Sequence, residues 1–524
     1  MRYKAEEIKI NINKLIKTKP REAVIAKLAL EESLVKNFTI TRRSLDSRMH
    51  ESSGIFYIYN VEFDYPKKIR SKSVKPADKE TKVPKARPVK KGIPRPVVIG
   101  SGPAGLFAAL RLVECGLEPI VIERGSDMKK RAEDVNNFWN ERQLDTESNV
   151  QFGLGGAGAF SDGKLNSRIK SPYTKYVAEK MVSFGAKHEI LYSAKPHLGT
   201  DKIRVLVSDM KAYLEEKGAE FYFGEKLTGI NISDGKVTGI VTDKREIETD
   251  DVFLGIGNSA RDTFEMLYDA GVTMEAKAFA VGVRVEHSAN TINEYVYGSL
   301  NGHPMLKNAD YLLKYHDEEY DRNVYSFCNC PGGYVINASS EEDMLAINGM
   351  SYSKRNAENT NSAIVVQVGP GDFGDHPLDG LRFARDLERK AFEAGGENYE
   401  VPYMAIGEFI GSGHPQEVAP SALPSCTYRD LGDIFPDFVR IPLKNALTHF
   451  SDKIGGFEGG VMSAVESRTS SPVRILRDKD SFMSVNVSGL YPIGEGAGYA
   501  GGIMSSAVDG VRAVDKMAQK YAEG

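Results

Sequence analysis

The stretch Pro96 to Gly125, PVVIGSGPAGLFAALRLVECGLEPIVIERG, constrains the fold of this chain more than any other. Val97 to Ile99 is a short, fully apolar strand, and Gly100-Ser101-Gly102-Pro103-Ala104-Gly105 fits G-x-G-x-x-G. An amphipathic helix follows, with Leu106, Leu110 and Val113 on one face and Gly116 at its end. A second apolar strand, Ile120 to Ile122, then delivers Glu123 eighteen residues past Gly105. Each piece answers a physical need. Gly100 makes a tight turn, Gly102 removes a side chain where a pyrophosphate must approach, and Gly105 lets helix and strand pack closely. The helix N-terminus supplies free N–H groups and positive dipole, and Glu123 is placed to accept hydrogen bonds from ribose hydroxyls. Strand, loop, helix, strand and terminal acid in register predict a dinucleotide site in a doubly wound α/β domain.

At 524 residues, against a prior of roughly 100–200 residues per domain, the chain calls for several units. Residues 1–66 mix strand-like alternation (EIKININ, FTITRRS, IFYIYNVEF) with one helical stretch, REAVIAKLALEE, whose Val24, Leu28 and Leu30 share a face. They predict a small N-terminal α/β domain. Residues 67–95 carry twelve Lys/Arg against two acids, with repeated proline and almost no apolar residues, and read as a solvated linker. The other reading is a docking strip for an anionic partner, although the lack of interleaved aromatics argues against single-stranded nucleic acid. A net charge of −4 gives no global pull toward nucleic acid or membrane. The start lacks the apolar core of a secretion signal, and no apolar run reaches the ~20 residues that span a bilayer. Four scattered cysteines make no disulfide framework, so a cytoplasmic location is expected.

Beyond the fingerprint, FGLGGAGAFSDGKLNSRI (152–169) is a glycine-dense loop, VLVSDMKAYLEEKG reads as a helix, and three strand-like runs follow with a turn at Ser233-Asp234-Gly235. The last run ends in GIGNSA (255–260), which imitates the G-x-G-x-S-A of a second nucleotide site. No acid-terminated second strand follows at the expected distance, so this is read as the return strand of the first domain. Near the C-terminus, GLYPIGEGAGYAGGIMSSAVDGVRAVDKM gives a short strand, Glu495 flanked by glycines, and a helix starting near Gly502.

This order resembles the FAD-dependent oxidoreductases of the glutathione-reductase-like superfamily with a p-hydroxybenzoate-hydroxylase-type layout, over most of residues 96–286 and 486–524. FGLGGAGAFSDGKLNSRI, GNSARDTFEML, CNCPGGYV, NGMSYSKRNAENTNSAIVV and GEGAGYAGGIMSSAVDG resemble, over nearly the whole chain, the bacterial FAD-dependent dehydrogenases without an assigned substrate. The resemblance implies an FAD-binding Rossmann-type domain at 96–280 and 486–524, with an α+β substrate domain inserted at 281–485. It implies FAD contacts from Gly100, Gly102, Pro103, Ala104, Gly105, Glu123 and Arg124, then Gly155, Gly156, Gly158 and Lys164. Further contacts are implied from Gly255 and Gly257, and from Gly494, Glu495, Gly501, Gly502 and Ile503. Glu495 is then expected on the ribityl chain, with the N–H groups near Gly501 to Ile503 at the flavin's pyrimidine end. A nicotinamide nucleotide, NADH or NADPH, is expected to reduce the flavin from a transient site.

The predicted substrate domain holds SFCNCPGGYV, where Cys328 and Cys330 precede a Pro-Gly-Gly turn. A metal site lacks the second ligand pair that zinc requires. Strand alternation would orient both sulfurs to one face, and the pair is either structural, as small buried hydrophobes, or a redox pair whose tight ring would be labile. Arg284 and Glu286 in VGVRVEH face either the flavin cavity or a solvent-exposed strand edge. Arg355, with Ser353 and Asn361, and His414 in GSGHPQ are candidates for binding a polar or anionic substrate. The catalytic candidates are therefore Cys328, Cys330, Arg284, His414 and Arg355, and no G-x-S-x-G, P-loop or H-E-x-x-H is present. The expected function is hydride transfer between flavin and an unidentified small molecule. The alternatives are a flavin-dependent nucleic-acid-modifying enzyme, or a non-catalytic flavoprotein that senses redox state or passes electrons to a protein partner.

Overall fold

Val97, Val98 and Ile99 are buried on both faces, which is the environment of a central parallel strand. The computed structural model describes residues 1–48, 54–78, 83–89, 92–166, 169 and 171–522. In it these three residues form the middle of a five-stranded parallel sheet in the order Leu490–Pro492, Val252–Leu254, Val97–Ile99, Ile120–Glu123, Glu220–Phe223. Alternation sends Val98 and Phe253 to one face and Val97, Ile99, Val252 and Leu254 to the other. Helices Pro103–Glu114 and Ile503–Ala522 cover the first face. They approach so closely that a Cβ on Gly510 would lie 2.2 Å from the Ala104 carbonyl oxygen. The second face is covered by an antiparallel meander (Leu227–Ser233, Lys236–Thr242, Glu246–Glu248) and by helix Arg261–Asp269.

GIGNSA thus follows a strand of the first sheet. The next strand, Met274–Ala276, pairs antiparallel with Val473–Ile475 and opens no second parallel unit. Helix Pro103–Glu114 is buried all round from Ala104 to Leu112, wider than the single face expected, because helix Thr200–Glu216 packs against its other side. Val113, assigned to the apolar face, is only half-buried.

The second sheet has seven strands in the order Lys314–Asp317, Arg322–Cys330, Asn359–Val368, Phe279–Ser288, Val461–Glu466, Val401–Ala405, Cys426–Tyr428. Helices Asp379–Ala394 and Asp437–Lys453 bury one face together with Val281, Val283 and Val285. Phe279–Ser288 is the central strand, so the solvent-edge reading of Arg284 and Glu286 is overturned: both are fully buried, on the face opposite those valines.

The N-terminal sheet runs Lys36–Asp46, Phe56–Asp64, Arg2–Asn11, Val74–Pro76, with helices Ile12–Leu15 and Pro20–Lys27. The second helix stops at Lys27, so Leu28 caps it and Leu30 lies beyond it; both still pack on the same small core as Val24. The linker departs from a wholly solvated tether. Its Val74–Pro76 adds an edge strand, Val89 is buried beside the first nucleotide-domain helix with its N–H on Cys115 O at 3.0 Å, and Pro84 O accepts from Arg111 at 2.7 Å. Linker residues 79–82 and 90–91, and 167–168 of the glycine-dense loop, lie outside the described residues.

Candidate active site

Glycine-bearing turns meet at the carboxyl ends of the parallel strands, the edge where open α/β sheets bind ligands. In the first turn, Gly100 has φ 89°, and a Cβ there would sit 2.4 Å from Gly255 O. A Cβ on Gly105 would lie 1.8 Å from Gly100 O. Gly102 differs: its added Cβ would face open space, the nearest atom being Gly156 Cα at 3.8 Å. Gly102 is the N-cap of the helix that begins at Pro103 and Ala104, so the open side lies at free N–H groups suited to an anion.

The glycine-dense loop closes over this turn. A Cβ on Gly156 would meet Gly102 Cα at 3.0 Å, and one on Gly158 would meet Ile503 Cγ1 at 3.1 Å, which joins first loop, second loop and closing helix. Gly155 takes φ 85°. Arg131 holds the loop's approach: fully buried, it donates to the carbonyls of Asn149, Val150, Gly153 and Leu154 at 2.7–3.2 Å. Burial pulls its guanidinium down to about 9.

Glu123 stands at the end of its strand, between the first two glycine loops. Its Oε2 accepts from Ser101 N at 2.8 Å and Ser101 Oγ at 2.7 Å, and its Oε1 accepts from Gly125 N and Gly153 N at 2.9 Å each. All of a carboxylate's four or so acceptor sites are thereby taken, so the side chain clamps the two glycine loops together. Arg124 is paired with Glu147 at 2.7 Å and Asp262 at 2.8 Å, its guanidinium 4.1 Å from the Phe152 ring centroid.

The third and fourth turns pack on one another. A Cβ on Gly496 would meet Gly257 O at 2.3 Å, and one on Gly494 would meet Ala104 Cβ at 2.7 Å, whereas Gly257, Gly501 and Gly502 have nothing within 4 Å of an added Cβ. Glu495 accepts from Asn258 Nδ2 at 2.8 Å and from the Gly502 N–H. Burial pushes its carboxyl up to about 7, against the pull of Gly502 and Lys277.

The other wall comes from the second sheet. Strand Arg322–Cys330 pairs Phe327 with Ala363 and Cys330 with Asn361, so one extra residue is inserted as a bulge, and Cys328 takes φ 47°. The regular alternation expected of this stretch is therefore broken at the cysteines. The Cys330 thiol donates to Cys328 O at 3.5 Å. The Asn329 side chain pins the bulge to the backbone of Tyr311, at 2.9 Å to its carbonyl. Arg284 lies behind it, donating to Cys328 O at 3.1 Å, to Asn361 Oδ1 at 2.9 Å and to both oxygens of Glu466 at 2.9 and 3.1 Å. Lys164, from the glycine-dense loop, donates to Asn329 O between the two cysteines.

The remaining candidates divide. Arg355 pairs with buried Asp162, which also accepts from Ser351 Oγ at 2.5 Å; Arg355 and Lys164 hold the Asp162 carboxylate down although burial opposes them. His197, beside Ser351 at 3.5 Å, is lowered to about 4 by burial and by Arg355. Glu286 is bound to Ser421 and Asn359, Ser353 to Asp201, and Asn361 leaves its buried Nδ2 without a partner. His414 stands apart, touching Pro415 O and Glu417, with no bond to the cysteine wall. Sequence reasoning missed Arg131, Asp162, Glu466 and the buried Glu388, which binds Arg261 and Arg468 at 2.7 and 2.9 Å and joins the two larger sheets. Arg131 in KKRAED and Glu388 in RDLERK are hidden among other charges, and only Glu466, ending the apolar run VMSAVE, carried a local signal.

A parallel sheet closed by glycine turns around a helix N-terminus defines a dinucleotide-binding oxidoreductase-type fold. The family described as "FAD binding domain" matches residues 95–132, and the family described as "FAD-dependent protein, C-terminal domain-like" matches residues 278–469. An uncharacterized protein of Clostridium beijerinckii is 43% identical over 508 residues, covering 95% of each chain. The chain belongs to this family of FAD-dependent proteins. Among solved structures, a halogenase PltM variant in complex with FAD is 9% identical over 82% of this chain and 70% of its own, with a TM-score of 0.38. L-proline dehydrogenase from P. horikoshii is 11% identical over 82% and 94%, with a TM-score of 0.34. No helix among the described residues is long and apolar enough to cross a membrane.

Proposed function

We propose that this chain is an FAD-dependent oxidoreductase that moves hydride between flavin N5 and a small organic substrate, with NADH or NADPH as redox partner at a transient site. The observation that carries the reading is the open space left in front of Gly102, Gly257, Gly501 and Gly502 at the ends of the parallel strands. The residues there suit FAD: bare backbone where phosphates come close, a helix N-terminus at each end, and buried donors and acceptors between them. When bound, FAD supplies two-electron chemistry that side chains lack.

The chain's own groups orient and insulate. The N–H groups of Ala104 and Gly105 receive the pyrophosphate, bracketed by Gly155, Gly156 and Gly158. The Ile503 N–H, at the start of the closing helix, stabilises negative charge at the pyrimidine end, while the Gly501 N–H donates to Ser505 Oγ at 3.2 Å and the Gly502 N–H to Glu495. Glu495, protonated over much of the range below neutrality, meets the ribityl hydroxyls as donor and as acceptor. Arg284 has a buried counter-ion in Glu466 behind Cys328, and the Lys164 ammonium is the further cation on that wall. The free Nδ2 of Asn361 and the Arg355–Asp162 pair offer hydrogen bonds to a polar substrate.

Flavin released from purified protein should be FAD at one per chain, and anaerobic mixing with NADH or NADPH should bleach it. A protein that retains no FAD as isolated and takes up none on incubation refutes the flavoprotein reading. Bleaching by neither nucleotide removes the nicotinamide partner.

A further inference from the structure

We propose that Cys328 and Cys330 are a redox-active dithiol that receives electrons from the bound flavin and passes them to a disulfide substrate, Cys328 as the attacking sulfur and Cys330 as the resolving one. This rests on the flavoprotein reading above and narrows its substrate class.

Four observations carry it. Buried structural cysteines need no special backbone, yet Cys328 sits at φ 47° in a bulge, a left-handed conformation that is strained for a non-glycine residue and clusters at functional sites. The two residues differ in burial, Cys328 half-buried and Cys330 fully buried, and the Cys330 thiol donates to Cys328 O at 3.5 Å. The bulge is fastened to the nucleotide loop itself by Lys164 on Asn329 O. Cations flank the pair: Arg284 donates to Cys328 O at 3.1 Å, and Lys164 lies on the other side.

The electrostatics agree with the geometry. The Cys330 thiol beside it, with Arg284 and Lys164, lowers Cys328, whereas Cys328 and burial raise Cys330, which is the division of labour an attacking thiolate and a resolving thiol require. The charge on Cys328 is felt at Glu495 of the closing turn, so the sulfur lies within electrostatic reach of the flavin motif.

The exchange balances. Cys328 thiolate attacks one sulfur of RS–SR, forming a mixed disulfide and releasing RS⁻. Cys330 thiol then attacks the Cys328 sulfur, closing the internal disulfide and releasing the second R group as RSH. The sum is RSSR plus one thiolate and one thiol giving the internal disulfide plus RS⁻ and RSH. Uptake of two electrons and one proton restores Cys328 thiolate and Cys330 thiol, the electrons coming from flavin reduced by NADH or NADPH.

The test uses the full-length holoprotein. Its flavin content is measured first, since a protein without flavin overturns the underlying reading and the electron exchange with it. Air-oxidised and anaerobically reduced samples are then alkylated and mapped by mass spectrometry. The expected result is a Cys328–Cys330 disulfide in the oxidised sample, and in the reduced sample modification of Cys328 at neutral pH well before Cys115 and Cys426, whose thiols burial raises to about 11. Dithionite titration should take up about four electrons per FAD in the wild type and about two in Cys328→Ser and in Cys330→Ser. Nicotinamide-driven reduction of 5,5′-dithiobis(2-nitrobenzoate) or glutathione disulfide should fall at least about 100-fold in both variants. Full flavin with about two electrons in the wild type, and both cysteines alkylated in the oxidised sample, overturns the dithiol while leaving the flavoprotein intact. Should a serine variant fail to fold, the alkylation map and titration of the wild type decide alone.

Discussion

Gly102 and Gly105 stand three residues apart in one motif, and the structure predicts opposite phenotypes for the same added methyl. At Gly102 the backbone has φ −72°, which alanine adopts freely, and the new Cβ would have its nearest neighbour at 3.8 Å. Gly102→Ala should therefore cost the apo fold no more than about 1 kcal/mol, the scale of a helix N-cap change. The methyl instead occupies the space in front of the helix N–H groups, where the pyrophosphate is proposed to lie. Crowding of one methyl costs about 1–3 kcal/mol, or roughly 5- to 150-fold in Kd for FAD. At Gly105 the Cβ would be 1.8 Å from Gly100 O, backbone against backbone, so helix and strand must part. Gly105→Ala should destabilise the apo fold by about 3 kcal/mol or more. The assay is urea unfolding of each apo-protein alongside FAD titration followed by flavin fluorescence. Wild-type FAD affinity in Gly102→Ala, or wild-type apo stability in Gly105→Ala, would refute the division of roles.

Glu388→Gln removes the counter-ion of buried Arg261 and Arg468 and should cost about 3–5 kcal/mol in urea unfolding at pH 7. Burial would raise Glu388, but Arg261 and Arg468 hold it far below the carboxylate range, so its contribution is present above the unfolded value of about 4.3 and lost as pH falls. The variant should show a shallower acid limb of stability. Glu495 has the opposite sign. Its folded value of about 7 exceeds the unfolded one, so the unfolded chain releases that proton first and apo stability declines as pH rises to about 7. Glu495→Gln should remove that decline, up to roughly 3 kcal/mol, in apo unfolding curves at pH 5 and 7.5. Arg131→Met leaves the carbonyls of Asn149, Val150 and Leu154 without their Arg131 donor and should destabilise the fold by several kcal/mol, about 1–3 kcal/mol for each buried acceptor left bare, with faster FAD loss on gel filtration.

The nucleotide side of the site was legible because its constraints are backbone constraints. A turn with φ 89° at Gly100 and a contact that tolerates no Cβ at Gly105 admit few residues, so the glycines are visible in a single sequence. The same holds for the closing strand and helix, where Gly494, Glu495 and Gly502 sit a few residues apart. The substrate side is made otherwise. Arg355 and Asp162 meet across 193 residues, and Arg284 and Glu466 across 182, and no local pattern records that two such charges will be brought together in a core. Alternation in VGVRVEH correctly gave Arg284 and Glu286 one face but not which face, because the choice between a cavity and a solvent edge depends on the strands beside it.

The cysteine pair shows where the two kinds of information join. The spacing C-x-C was plain, but a regular strand and a bulge read alike in sequence, since the extra residue is defined by the partner strand Asn359–Val368 and not by the bulged one. The partner's register also explains why a cysteine is held at φ 47°: Ala363 and Asn361 stay in step with Phe279–Ser288, so the extra residue on the cysteine strand has to be absorbed locally. Asn329 and Lys164 then fix that irregularity to Tyr311 and to the nucleotide loop. A strained residue anchored on both sides does not relax when its neighbours change. For the disulfide exchange proposed above, in which the Cys328 sulfur keeps one position while it passes between thiolate and disulfide, that fixity is the property the chemistry needs.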